Sequence, residues 1–78
     1  MIQTHVYKPG TLVAVTIDTV LWSTGELPVR QVRRAEAGEL MIYLHPSDVL
    51  DKHAYVIVLT LDGNLYNIPT YAADRYRS

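Results

Sequence analysis

Apolar residues in this 78-residue chain recur chiefly with a period of two, the spacing of strands whose side chains alternate between two faces. Residues 11–22, "TLVAVTIDTVLW", are rich in β-branched side chains and read as a long first strand. Val13, Val15, Ile17 and Leu21 share one parity there, and Leu12, Ala14, Val20 and Trp22 the other. The strand therefore either changes face at a bulge near Asp18-Thr19 or is covered on both sides. Residues 27–33 and 39–44 read as two further strands joined around residues 35–38, and Pro28 places the start of the first at a sheet edge, because proline cannot donate to the ladder. "YVIVLTLDGNLYNIP", residues 55–69, reads as a hairpin with Asp62-Gly63-Asn64 at its tip. Along its first arm Tyr55, Ile57, Leu59 and Leu61 lie on one face, and Val56 and Val58 on the other. Both faces ask for cover.

The punctuation is that of turns. Lys8-Pro9-Gly10 and Ser23-Thr24-Gly25-Glu26 bound the first strand. "HPSDVLDKH" interrupts the strand pattern and predicts a single helical turn capped by Ser47, with Val49 and Leu50 tucked inward. After Pro69, Thr70 is the expected N-cap of one or two helical turns over "YAADRYR", supported by the Asp74/Arg77 spacing.

Five short strands and two helical turns give a mainly β, all-β chain, which most simply closes as a small five-stranded barrel with no exposed edges. "KPGTLVAV" resembles the opening strand of SH3-like barrels. "LDGNLYNIPTYAADRY" is similar to their closing segment, where a D-G hairpin leads to an apolar strand and a short helical turn. The likeness covers about half of the chain. It departs in showing no strand after the helical turn, and in lacking the acidic loop and paired aromatics that hold proline-rich peptides, so it implies a fold more than a function.

Length places residues 1–78 in one domain, of a size that buries only roughly 60% of its unfolded surface. With no cysteine, no disulfide or thiolate metal site adds to the core, which leaves packing or oligomerisation, and the redox compartment stays open. An apolar fraction of 49% with 19% charged residues is that of a folded chain, and the formal charge of −1 gives no overall attraction to nucleic acid or anionic membrane. The sequence shows neither a signal peptide nor an apolar run of ~20 residues, so a soluble, cytoplasmic protein is expected, acting within a host cell if phage-encoded.

Little catalytic chemistry is visible. Ser23, Ser47 and Ser78 stand in no G-x-S-x-G context, and no phosphate-cradling glycine loop is present, so no enzyme activity and no cofactor are expected. His45, Asp48, Asp51 and His53 fall close together but match no metal-binding spacing. They read as a solvated loop, and no metal site is assigned. Arg30, Arg33 and Arg34, with Tyr43 on the adjoining strand, form a candidate surface for RNA or single-stranded DNA, opposed by Glu36 and Glu39 across the turn. Tyr66, Tyr71 and Tyr76 with Arg75 and Arg77 make the C-terminal segment aromatic and basic, the composition of binding hot spots or of a barrel closure. Trp22 reads as a lid on the core.

The two-faced strands decide the functional expectation. The second apolar parity, represented by Leu12, Val56 and Val58, needs cover from the termini or from another chain. The sequence therefore predicts a non-enzymatic protein-interaction module that is a homo-oligomer or docks on a larger protein, as an assembly component or a small phage or bacterial accessory or inhibitor protein. Val56, Val58, Leu12, Tyr71, Tyr76 and Arg75 are its contact residues. The alternative is nucleic-acid binding through the arginine strand.

Overall fold

A computed structural model of the chain describes residues 7–77. Its elements are β1 (Leu12–Val15), β2 (Thr19–Trp22), β3 (Gln31–Ala35), β4 (Leu40–Pro46), β5 (Tyr55–Thr60), β6 (Leu65–Pro69), a 3-10 turn (Thr70–Ala72) and β7 (Ala73–Arg75). The protein is mainly β, and all strands pair antiparallel in one sheet of order β3-β2-β6-β5-β4-β1-β7. The expected five-stranded closed barrel is thus corrected to a seven-stranded sheet that is not closed, with β3 and β7 at its edges.

The two extra strands have local causes. The first strand breaks at residues 16–18, where Thr16 turns its backbone N–H to the Ala72 carbonyl (2.9 Å) and Asp18 accepts from the Ala37 N–H (2.9 Å). No face change occurs at the break: Val13, Val15 and Leu21 all point into the core, and only Ile17 of that parity is exposed. At the other end the helical turn stops after three residues. Thr70 is not its cap. Pro69 precedes it with extended backbone and no side-chain cap bond, and Ala73 returns to extended geometry and pairs with Val15 as the start of β7.

Topology alone requires the sheet to curl. β1 and β2 are four strand spacings apart in the sheet order, ~19 Å if it were flat. The link from Val15 to Thr19 spans four Cα steps and reaches at most ~15 Å. The sheet therefore rolls, and its concave side encloses one cluster built from Val13 and Val15, Leu21, Met41 and Tyr43, Val56 and Val58, and Tyr66 and Ile68, with alanines at the ends. Register carries the same parity from strand to strand, through Tyr43 opposite Val58, Val58 opposite Tyr66, and Val56 opposite Ile68.

This answers which face of the quoted hairpin is inside. Val56 and Val58 are the concave face and are buried by the chain itself, Val58 to 0% exposure, so they are corrected from contact residues to core residues. The convex parity is mixed. Ile57 and Asn67, opposite each other, are buried, and Trp22, opposite Asn67, is half-buried. Asn67 Nδ2 donates to the Ser23 carbonyl at 2.9 Å and fastens β6 to the end of β2. Leu59 is half-buried and Leu61 exposed. Residues 1–6, expected to cover part of the second face, lie outside the described residues, as does Ser78.

The predicted helical turn at Ser47 is also corrected. Its hydroxyl accepts from the N–H groups of Val49 (3.4 Å) and Leu50 (2.9 Å), as a cap does, but the segment bends without forming a helix before β5 begins. At the hairpin tip only Gly63 adopts the left-handed region, at φ +92°, as the turn requires.

Candidate functional site

A groove of ≈ 260 Å³ lies on the outer surface between the turn that precedes β5 and the 3-10 turn that follows β6. It is lined by Tyr55 and Pro69, the last opposed pair of the β5–β6 hairpin, and by Asp51, His53, Ala54, Thr70 and Tyr71 from the two turns.

Backbone bonds fix both walls. The N–H groups of Ala54 and Tyr55 both donate to the Asp51 carbonyl (3.0 and 2.9 Å), and the His53 N–H donates to the Asp51 carboxylate (2.8 Å). Thr70 donates through its backbone (2.9 Å) and its hydroxyl (3.3 Å) to the Ala54 carbonyl, clamping the two turns together. Thr16 holds the far side of the 3-10 turn through its bond to Ala72 and a longer hydroxyl bond to the Tyr71 carbonyl (3.5 Å). On this braced backbone the Tyr71 side chain is 70% exposed. A rigid aromatic with one polar tip, offered to solvent from a fixed backbone, gives contact area at low entropic cost. The groove's volume lies just below the roughly 300–1,000 Å³ of ordinary ligand pockets.

The remaining predicted contact residues lie together at the β1–β7 edge. The Tyr76 backbone N–H donates to the Leu12 carbonyl (2.9 Å), both residues are exposed, and Arg75 is exposed on β7 opposite Val13.

The arginine strand is not assembled as expected. Arg30 is salt-bridged to Glu26 (3.2 Å), four residues earlier. Arg33 lies opposite Leu21 on the inward side of β3, where its guanidinium engages the Glu39 carboxylate and stacks 5.5 Å over the Tyr66 ring. Hydrogen bonding to Glu39 holds its pKa above the ordinary arginine value. Arg34 is exposed. Tyr43 is corrected from a surface platform to a buried core residue on β4, far from β3 in the sheet, with its ring edge-on to Tyr7 at 5.5 Å and its pKa raised by burial. The four residues thus share no surface. Among the described residues no three His, Asp or Glu side chains gather as a metal site, so His45, Asp48, Asp51 and His53 do not converge.

No family model, curated protein or solved structure matches this chain. No helix of the described residues is long and apolar enough to cross a membrane.

Of the groove residues, sequence reasoning names only Tyr71 as a contact residue, and reads Asp51 and His53 as part of a solvated loop and Thr70 as a helix cap. Ala54, Tyr55 and Pro69 were legible through register. A loop over residues 61–63, closed by the Thr60 N–H donating to the Asn64 carbonyl (2.9 Å), sets Leu59 against Leu65 and, stepping outward, Tyr55 against Pro69.

Proposed function

We propose that this protein is a non-catalytic interaction module of SH3-like architecture, which docks a segment of a partner protein by seating one of its apolar side chains beside Tyr71. The observation that carries the reading is the groove itself: mostly apolar in its lining, bordered by two turns that backbone bonds brace, and lined in part by a tyrosine that the chain leaves exposed. The architecture is supported by β7, the strand after the short helical turn that the sequence resemblance lacked, which returns to pair with β1.

The test is selection from a displayed peptide library against the wild-type chain, followed by titration of selected peptides into Tyr71→Ala. Selected peptides are expected to lose about tenfold or more in affinity, the scale of a hot-spot aromatic. The Tm should be unchanged. Peptides that bind Tyr71→Ala as tightly as wild type would overturn the reading.

A further inference from the structure

We propose that the segment docked in the Tyr71 groove carries a lysine or arginine close to its seated apolar side chain, and that Asp51 holds this cation while its methylene stem lies against Tyr55 and Tyr71. The inference rests on the docking reading above and adds to it the charge of the partner.

The chemistry follows from the lining. Ala54 and Pro69 offer only apolar surface, Tyr55 and Tyr71 offer aromatic rings, and Asp51 is the one lining residue with a full charge when histidine is counted neutral. Its carboxylate is exposed and not used up by the fold: one oxygen accepts the His53 N–H at 2.8 Å, and among the described residues Asp51 takes part in no ion pair. A carboxylate beside two tyrosines suits a cation in two ways, through a charge-assisted hydrogen bond to the free oxygen and through attraction to the negative face of a ring. Lysine and arginine also carry a run of methylenes that covers apolar surface while the charged head stays wet. A partner carboxylate or phosphate in the same place meets Asp51 as a like charge and gains nothing from the rings.

The surroundings keep that sign. The turn between β4 and β5 carries Asp48, Asp51 and Lys52, all exposed, and Lys52 does not line the groove. Residues 69–72, on the other side, carry no charge. No cation of the chain therefore answers Asp51 from within the groove. The carboxylate is also held in place before a partner arrives, because the Asp51 carbonyl accepts from Ala54 and Tyr55 (3.0 and 2.9 Å) while its side chain accepts from His53. A fixed acceptor spares the ordering cost of binding.

The experiment titrates peptides selected from the displayed library into wild type, Tyr71→Ala and Asp51→Asn. The last variant keeps an acceptor for the His53 N–H and removes only the charge. The selected peptides are expected to be enriched in lysine or arginine near their apolar residue. Asp51→Asn should weaken them about fivefold, the upper range of an exposed ion pair, and replacing the peptide's basic residue by glutamine should weaken wild type by about as much. The two changes together should cost little more than either alone, because both remove one pair. Circular dichroism establishes that each variant is folded. Should Asp51→Asn unfold the chain, the glutamine peptides on wild type decide alone. Peptides that lose affinity in Tyr71→Ala yet bind folded Asp51→Asn as tightly as wild type overturn the charge inference and leave the docking reading standing. So does a selected set without basic residues, or fully additive losses. Peptides indifferent to Tyr71→Ala overturn both.

Discussion

Val58 is a fully buried residue of the core on β5. Its parity reads from the sequence as a surplus face, yet it stands between Tyr43 and Tyr66 at the centre of the rolled sheet. Val58→Asp is therefore expected to unfold the chain at room temperature, because a buried unpaired charge is not tolerated in a small core, whereas Leu65→Asp leaves the far-UV circular dichroism native. Arg33 moves in the other direction: read as part of an arginine surface opposed by Glu36 and Glu39, it is half-buried over Tyr66 with Glu39 as its partner. Arg33→Ala should cost about 1 kcal/mol in urea unfolding, combining a partly exposed pair and a stacked guanidinium. Two further residues contribute to the pH dependence of stability. The Thr60 hydroxyl holds the Asp62 carboxyl below its ordinary pKa, so its contribution is fully present above about pH 4 and is lost as pH falls through the depressed folded value. Tyr7 is raised by burial and by Asp74, so its contribution is fully present below about pH 10 and is lost as pH rises through the raised folded value. In Tm measured against pH, Asp62→Asn should flatten the acid limb and Tyr7→Phe the alkaline limb. Variants that leave both limbs as steep as wild type would remove these assignments.

At the scale of elements, the β5–β6 hairpin was the most legible part of the chain, because its turn residues and alternation fix both arms and their register. The long first segment was less legible. Its break depends on partners at Ala37 and Ala72, which are distant in sequence and unmarked by any local signal. The third residue of the 3-10 turn is followed by a strand for the same reason: Ala, Asp and Arg have no strand preference, and the opposing edge of β1 decides. Tyr71 could be read as a contact residue from type alone, but its groove required knowing that two turns sixteen residues apart are clamped by Thr70 and Ala54. The joint between β2 and β6 is the element contact on which the roll depends, and Asn67 fastens it. Asn67→Ala should cost about 1–3 kcal/mol, the range for a buried carbonyl deprived of its donor, read as a lower urea midpoint. A change within about 0.5 kcal/mol, the range of ordinary surface substitutions, would place the closing force elsewhere.

On the scale of the whole molecule, a chain too small for two cores uses a single curled sheet to hide one parity and present the other. The concave side is spent on folding. The convex side carries Leu12, Ile42, Leu59 and Leu65 in one aliphatic row of opposed positions and, at the other end of β5, the Tyr71 groove, with the buried Ile57–Asn67 pair between them. Partner docking is proposed at the groove. The most direct test of the docking assignment is chemical-shift mapping of a library-selected peptide on isotopically labelled protein. Shifts concentrated on Ala54, Tyr55, Thr70 and Tyr71, with Leu12, Ile42, Leu59 and Leu65 unmoved, are the result expected. Shifts centred on the aliphatic row or on Arg30, Arg33 and Arg34 would contradict it.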